Sequence, residues 1–120
     1  MFYKLGVLIF DEKKKIMTIN NINIPEERLR KICQKYLVKE LAVFGSALDG
    51  DFKEDSDIDL LYIFQDNSEN SLFSKVRIKE ELENLFGRPV DLISRRAIEN
   101  SRNEYKKKAI LEHTKVIYAA

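Results

Sequence analysis

The chain has 120 residues, enough for one small domain with a buried core but too few for a second substrate-binding domain, so any acceptor must be presented from outside. A hydrophobic content of 44% with 34% charged residues describes an ordinary globular protein, and no apolar run approaches the ~20 residues that span a bilayer, so a cytoplasmic location is expected. Twenty-one Lys and Arg against twenty Asp and Glu leave a net charge of +1, which gives no global drive toward nucleic acid, and the single Cys33 excludes an internal disulfide or a Cys-rich metal site.

Residues 2–10 contain β-formers and read as a strand, residues 11–15 as a charged turn, and Ile16–Ile19 as a returning strand. The apolar start runs into Asp11-Glu12-Lys13 without a small-residue cleavage site, so no signal peptide is expected. From Pro25 the pattern is helical: Leu29, Ile32, Cys33, Tyr36 and Leu37 follow i, i+3, i+4, i+7, i+8, Pro25 suits a first-turn position, and Glu26 and Glu27 complement the helix dipole. Cys33 lies on that stripe and reads as a small core residue. Residues 41–44 form a short apolar run consistent with a buried strand, followed by a loop over 45–56 and a second strand over 57–64, apolar on both faces toward its end. After a polar loop, Ile78, Leu82, Leu85 and Phe86 predict a helix over 71–86 with Ser71 as N-cap and Gly87 as its stop. A third strand is expected over 89–93 and a final helix from 97 to about 112, ahead of Val116-Ile117-Tyr118.

Side chains at i and i+2 of a strand share a face, so Asp57 and Asp59 project together while Ile58 points away. Adjacent carboxylates repel unless a cation sits between them, and hard oxygen ligands at a strand end suit Mg²⁺ or Mn²⁺. Asp91, between Val90 and Leu92, is out of place in a buried strand unless it faces a partner or an ion. The turn at Gly45-Ser46 lets backbone amides approach an anion, with the Ser46 hydroxyl as a further donor. A Gly-Ser pair or a pair of aspartates alone marks little; a phosphate-facing turn on one strand and metal ligands on the next is what a nucleoside triphosphate with its metal needs. A calcium loop over residues 55–66 fails, because its sixth position is Leu60 and its twelfth Asp66.

Gly45-Ser46, ten intervening residues, then Asp57-Ile58-Asp59 resemble the signature of the polymerase-β-type nucleotidyltransferase superfamily. Glu40 to Ser46, Gly87-Arg-Pro-Val-Asp-Leu-Ile93 and the ending Ile110 to Tyr118 are similar to its minimal nucleotidyltransferase (MNT) group. The resemblance implies an α/β (α+β) fold with a small mixed sheet flanked by helices, a minimal domain over 22–120 and an N-terminal extension over 1–21 carrying the hairpin. It also implies that Asp57, Asp59 and Asp91 are the catalytic carboxylates holding two Mg²⁺ ions, with Asp91 on the nucleophile side, and that Gly45 and Ser46 grip the triphosphate. Members of the group are commonly antitoxins paired with a HEPN ribonuclease, and adenylylate a tyrosine hydroxyl of that toxin with ATP. A partner that brings its own nucleophile would explain a one-domain enzyme.

One position departs from the pattern: Asp49 stands where relatives often carry Arg, which should weaken triphosphate binding, with Arg95, Arg96 or a partner residue as compensation. An antitoxin that turns over weakly and neutralises its partner by contact is therefore the alternative reading. Transfer to a small molecule such as an aminoglycoside would need a second domain. Arg95, Arg96, Arg102 and Lys106-Lys107-Lys108 read first as a solvated helix face, and otherwise as a docking surface for an acidic partner or phosphates. His113 reads as a surface residue, and Tyr105 and Tyr118 as packing residues or self-modification sites.

Overall fold

The computed structural model describes residues 16–20, 22–48, 55–66 and 72–120. The strand expected over 2–10, the turn over 11–15, Asp49 and the Ser71 cap lie outside the described residues.

β1 (Ile16–Ile19) is extended as expected, and its partner is β2 (Ile22–Pro25), which it meets antiparallel with Ile19 opposite Ile22. Pro25 thus closes a strand instead of opening a helical turn, its ψ of 107° extended, and helix α1 occupies Glu26–Lys35. The helix buries Leu29 and Cys33 and ends sooner than the apolar spacing predicts. Leu37 leaves the stripe: it adopts a left-handed φ of 55° and is 40% exposed, because the chain must reverse there into β3. Its amide bonds to Gln34 and its carbonyl accepts from the amide of Gln65, so the reversal is satisfied by backbone.

β3 (Val38–Phe44), β4 (Ile58–Phe64), β5 (Val90–Ser94) and β6 (Thr114–Ala119) form a sheet in the order β5-β4-β3-β6. β4 and β5 run parallel, and the other two pairings are antiparallel. The parallel crossover is made by helix α2 (Leu72–Phe86), which buries Ile78, Leu82 and Leu85. Gly87, at φ +70°, stops it and donates its amide to Glu83. The Glu83 carboxylate in turn accepts the amide of Val90 at 3.0 Å, which ties the end of α2 to the start of β5.

The single helix expected over 97–112 is two. Helix α3 (Arg95–Glu99) is capped by the Ser94 hydroxyl, which accepts from Ala97, and helix α4 (Glu104–Leu111) by the Asn103 side chain, which accepts from Lys106. Short polar side chains offer the backbone a local partner and so interrupt a helix that periodicity alone would continue.

The mixed sheet is covered on both faces by helices, as expected of the fold class. On one face Leu41, Val43, Ile58, Leu60 and Leu92 pack with Leu29 and Cys33 of α1, Ile78 and Leu82 of α2, and Ile19 and Ile24 of the hairpin. On the other, a smaller cluster joins Ala42, Phe44, Leu61 and Ile98, with Ile93, Ile110 and Leu111 against it. Tyr118 packs partly buried against the larger cluster, whereas Tyr105 is 90% exposed and is not a packing residue. Among the described residues no helix is long and apolar enough to cross a membrane.

Candidate active site

The face that carries α3 and α4 also carries the aspartates. Residues paired across a ladder share a face, and Phe44 pairs with Asp59, Asp59 with Asp91, and Phe44 with Thr114. One row therefore crosses the sheet as Asp91, Asp59, Phe44, Thr114. The next row is Ile93, Leu61, Ala42 and Val116, apolar throughout, so the carboxylates stand at the margin of a greasy surface. Asp57 lies one residue before β4 rather than inside it, exposed, and the amide of Ile58 bonds to the carbonyl of Pro89, which couples the start of β4 to the approach of β5.

Gly45 follows Phe44 directly and opens a 3₁₀ turn, Gly45–Leu48, in which Ser46 is half-buried. Its φ is +74°, and a Cβ at this position would stand 2.5 Å from Oδ2 of Asp59. Glycine is required on both counts: the backbone conformation is left-handed, and the carboxylate approaches where any side chain would sit. The turn is braced from the N-terminal side, because the Asn20 side-chain amide donates to the carbonyl of Ala47.

Burial first, then Asp91 and then Asp57, push the Asp59 carboxyl above its ordinary range. Among the described residues, no group of three or more His, Cys, Asp or Glu is gathered tightly enough to hold an ion as placed. A divalent cation among the three carboxylates would convert the repulsion felt by Asp59 into attraction. A set of hard carboxylate oxygens at a strand end fits Mg²⁺ or Mn²⁺.

The compensation expected of Arg95 and Arg96 is not found. Both follow β5, four or more residues beyond Asp91, or about 13 Å along a strand. Arg95 is engaged by Glu40 at 3.0 Å and Glu99 at 3.5 Å, and Arg96 by Asp66 at 2.6 Å. Among the described residues, Arg88 reaches the approach to Asp57, its Nη1 donating to the carbonyl of Ser56 at 3.4 Å. Its place before Pro89 could have suggested it, since that segment leads into the strand of Asp91. A cleft lined by Tyr62, Phe64, Asp66, Ser94 and Arg96 opens at the opposite end of β4 from Asp59 and touches none of Asp57, Asp59 and Asp91.

Residues 26–117 match the model of the nucleotidyltransferase domain family. The chain belongs to the minimal nucleotidyltransferases. Among similar nucleotidyltransferases is the protein adenylyltransferase MntA of Thermococcus cleftensis, 30% identical over 96 residues that cover 80% of this chain and 87% of that one. A Methanocaldococcus jannaschii protein, MJ1379, whose assignment as a protein adenylyltransferase is provisional, is 38% identical over 96 residues, or 79% of this chain and 93% of its own. A solved structure provisionally assigned as a minimal nucleotidyltransferase superposes with a TM-score of 0.58 at 30% identity, covering 75% of this chain and 86% of that one. A toxin–antitoxin crystal structure with AMP-PNP shares the fold, with a TM-score of 0.59 at 18% identity over 81% of this chain and 75% of that one.

Proposed function

We propose that this minimal nucleotidyltransferase transfers AMP from ATP to a tyrosine hydroxyl of a HEPN-type toxin and so acts as the antitoxin of the pair, in the cytoplasm, with residues 22–120 as the transferring domain and 1–21 as its extension. The observation that carries the reading is the register of Asp59 with Asp91 beside the Gly45-Ser46 turn. It joins a carboxylate set to a turn whose amides can face phosphate. The adenylyltransferase name of the Thermococcus relative and the toxin–antitoxin setting of the fold neighbour support the acceptor class.

In this reading Asp57, Asp59 and Asp91 hold two Mg²⁺ ions, and Gly45 and Ser46 hold the triphosphate. The ions, when bound, supply acidity to the attacking hydroxyl and stabilise charge on the transferring phosphoryl group and on pyrophosphate. The phenolic oxygen forms a bond to the α-phosphorus, the bond to the bridging oxygen breaks, and pyrophosphate leaves. Asp91 is exposed and sits on β5, the edge strand, so a protein acceptor can approach it, and its carboxylate is the one to receive the phenolic proton. Asp59 is enclosed between the two neighbouring strands and is better suited to holding charge than to shuttling a proton.

The test is incubation with labelled ATP, Mg²⁺ and the protein encoded by the neighbouring gene, the candidate toxin. The partner should become labelled, and Asp57→Asn should abolish the label; labelling that persists in the variant sinks the mechanism. Neutralisation of the toxin that survives loss of both Asp57 and Asp59 would instead favour the contact antitoxin that Asp49 suggests.

A further inference from the structure

One flank of α2 has no part in the transfer chemistry and is unusually apolar for a surface. Leu72, Phe73 and Val76 are 76%, 80% and 49% exposed in the first turns of that helix. The other large apolar side chains exposed among the described residues, such as Leu37 and Val116, stand singly, and it is the grouped ones that mark an interaction site. Leu72 and Phe73 are four and three residues before Val76, so the three side chains are neighbours. Val76 in turn stands seven residues before Glu83, on the same side of the helix. The Glu83 carboxylate accepts the amide of Val90 on β5 at 3.0 Å, whereas Glu81, on the other flank, meets Lys35 and Tyr36 of α1. The exposed stripe therefore lies on the side of α2 nearer β5.

The stripe leads into the cleft at the far end of β4. The Lys75 ammonium stands over the Tyr62 ring, 5.6 Å from its centre, and Tyr62 and Phe64 line that cleft, about 320 Å³ in volume, together with Ser94. Ser94 is the last residue of β5, and Asp91 is three residues before it, about 10 Å along the edge strand. We propose that this flank of α2 and the cleft beside it are the docking surface for the protein acceptor. The acceptor lies along the β5 edge, with its tyrosine at Asp91 and an apolar segment bearing acidic residues at Leu72, Phe73 and Val76. The docking surface rests on the protein-adenylylation reading and adds to it the residues that select the partner.

Charge decides the occupant. Lys75 and Lys79 border the stripe and have no carboxylate partner among the described residues. The carboxylates on that side are already engaged, Glu83 by Val90 and Asp66 by Arg96. An acidic partner supplies what is missing. A second copy of this chain in a twofold contact would set Lys75 and Lys79 against their own copies, which opposes association. A bilayer would find only three apolar side chains, because Ile78, Leu82 and Leu85 of the same helix are committed to the core.

The test uses the full chain, with the purified protein encoded by the neighbouring gene as probe. Phe73→Glu with Val76→Glu places carboxylates at exposed positions near a helix N-terminus, where they suit the dipole, and Lys79→Glu reverses a cation without touching the stripe. Affinity for the probe, by calorimetry, is expected to fall roughly tenfold or more in the double variant and by a smaller factor in Lys79→Glu, with Tm and ATP affinity retained. In the labelling assay the KM for the partner should rise in proportion with kcat retained, a split that general loss of structure would not produce. Probe affinity within about threefold of wild type in the double variant overturns the surface and leaves the transfer reading standing. Self-association of wild type, or its binding to phosphatidylserine vesicles, that is lost in the double variant overturns it in favour of that occupant. Wild type that does not bind the probe removes the partner and the surface together. Selective loss of binding in a pair that never shows label removes the transfer reading and leaves the docking surface standing.

Discussion

Two glycines, Gly45 and Gly87, give a controlled comparison. Both hold left-handed backbone, at φ +74° and +70°, but a Cβ on Gly87 meets nothing within 4 Å, whereas one on Gly45 meets Oδ2 of Asp59 at 2.5 Å. An L-residue in this conformation costs about 1–2 kcal/mol, offset in part by the ~0.4–1 kcal/mol that alanine gains by restricting the unfolded chain. Each alanine variant should therefore lose about 1 kcal/mol, which for a domain of this size is a fall of roughly 4 °C in Tm. The added clash at position 45 falls on the end of a side chain that can rotate, so little further stability is lost. What moves is the Asp59 carboxylate, and a displacement of ~1 Å at a reacting centre is worth about a hundredfold in rate. Thermal melts with the partner-labelling assay should then show Gly45→Ala and Gly87→Ala melting alike, with transfer lost only in the first. Equal transfer rates in the two variants would refute the argument that Gly45 exists to admit Asp59.

Asp59→Asn should stabilise the metal-free protein. Burial, then Asp91 and Asp57, raise the Asp59 carboxyl above its ordinary value of 3.8, so the folded state holds that proton more tightly than the unfolded chain does. Stability from this group is present below that ordinary value and is lost as pH rises through the raised one. At pH 7 in EDTA the variant should melt above wild type, the gap closing as pH falls below the ordinary carboxylate range, and Mg²⁺ should raise wild type alone; a variant that melts lower at pH 7 would contradict the placement. Burial pushes the Cys33 thiol up to about 12, so it stays protonated at pH 8. Iodoacetamide should modify it in urea and leave the native protein unlabelled over the same interval, and equal rates by mass spectrometry would show that α1 does not seal it.

The family was legible in the sequence because its signature is carried by local spacing. Gly45-Ser46 precedes Asp57 and Asp59 at the superfamily interval, and strand period predicts a shared face for the two aspartates, although Asp57 stands one residue before β4. The core stripes of α1 and α2 were legible for the same reason: Leu29 with Cys33, and Ile78, Leu82 with Leu85, recur at helical spacing and are buried. Boundaries set by competing local bonds were not. Pro25 fits a helix's first turn and a strand's last residue equally well, and the pairing of β2 with β1 decides between them. Ser94 and Asn103 divide the last helix through caps that periodicity does not register.

Distance across the sheet lay furthest beyond the sequence. Asp59 and Asp91 are 32 positions apart, and only the parallel pairing of β4 with β5 makes them neighbours. The same pairing sends Arg95 and Arg96 to the far end of the strands, into ion pairs with Glu40 and Asp66, and, among the described residues, brings Arg88 to the approach of Asp57. Phe44 and His113, from β3 and the end of α4, meet at one cavity for a like reason. Spacing along the chain determines which residue types share a face of one element, and so which chemistry is present. Ladder register and helix packing are long-range choices made by burial of the whole core, and they alone decide which of those faces meet.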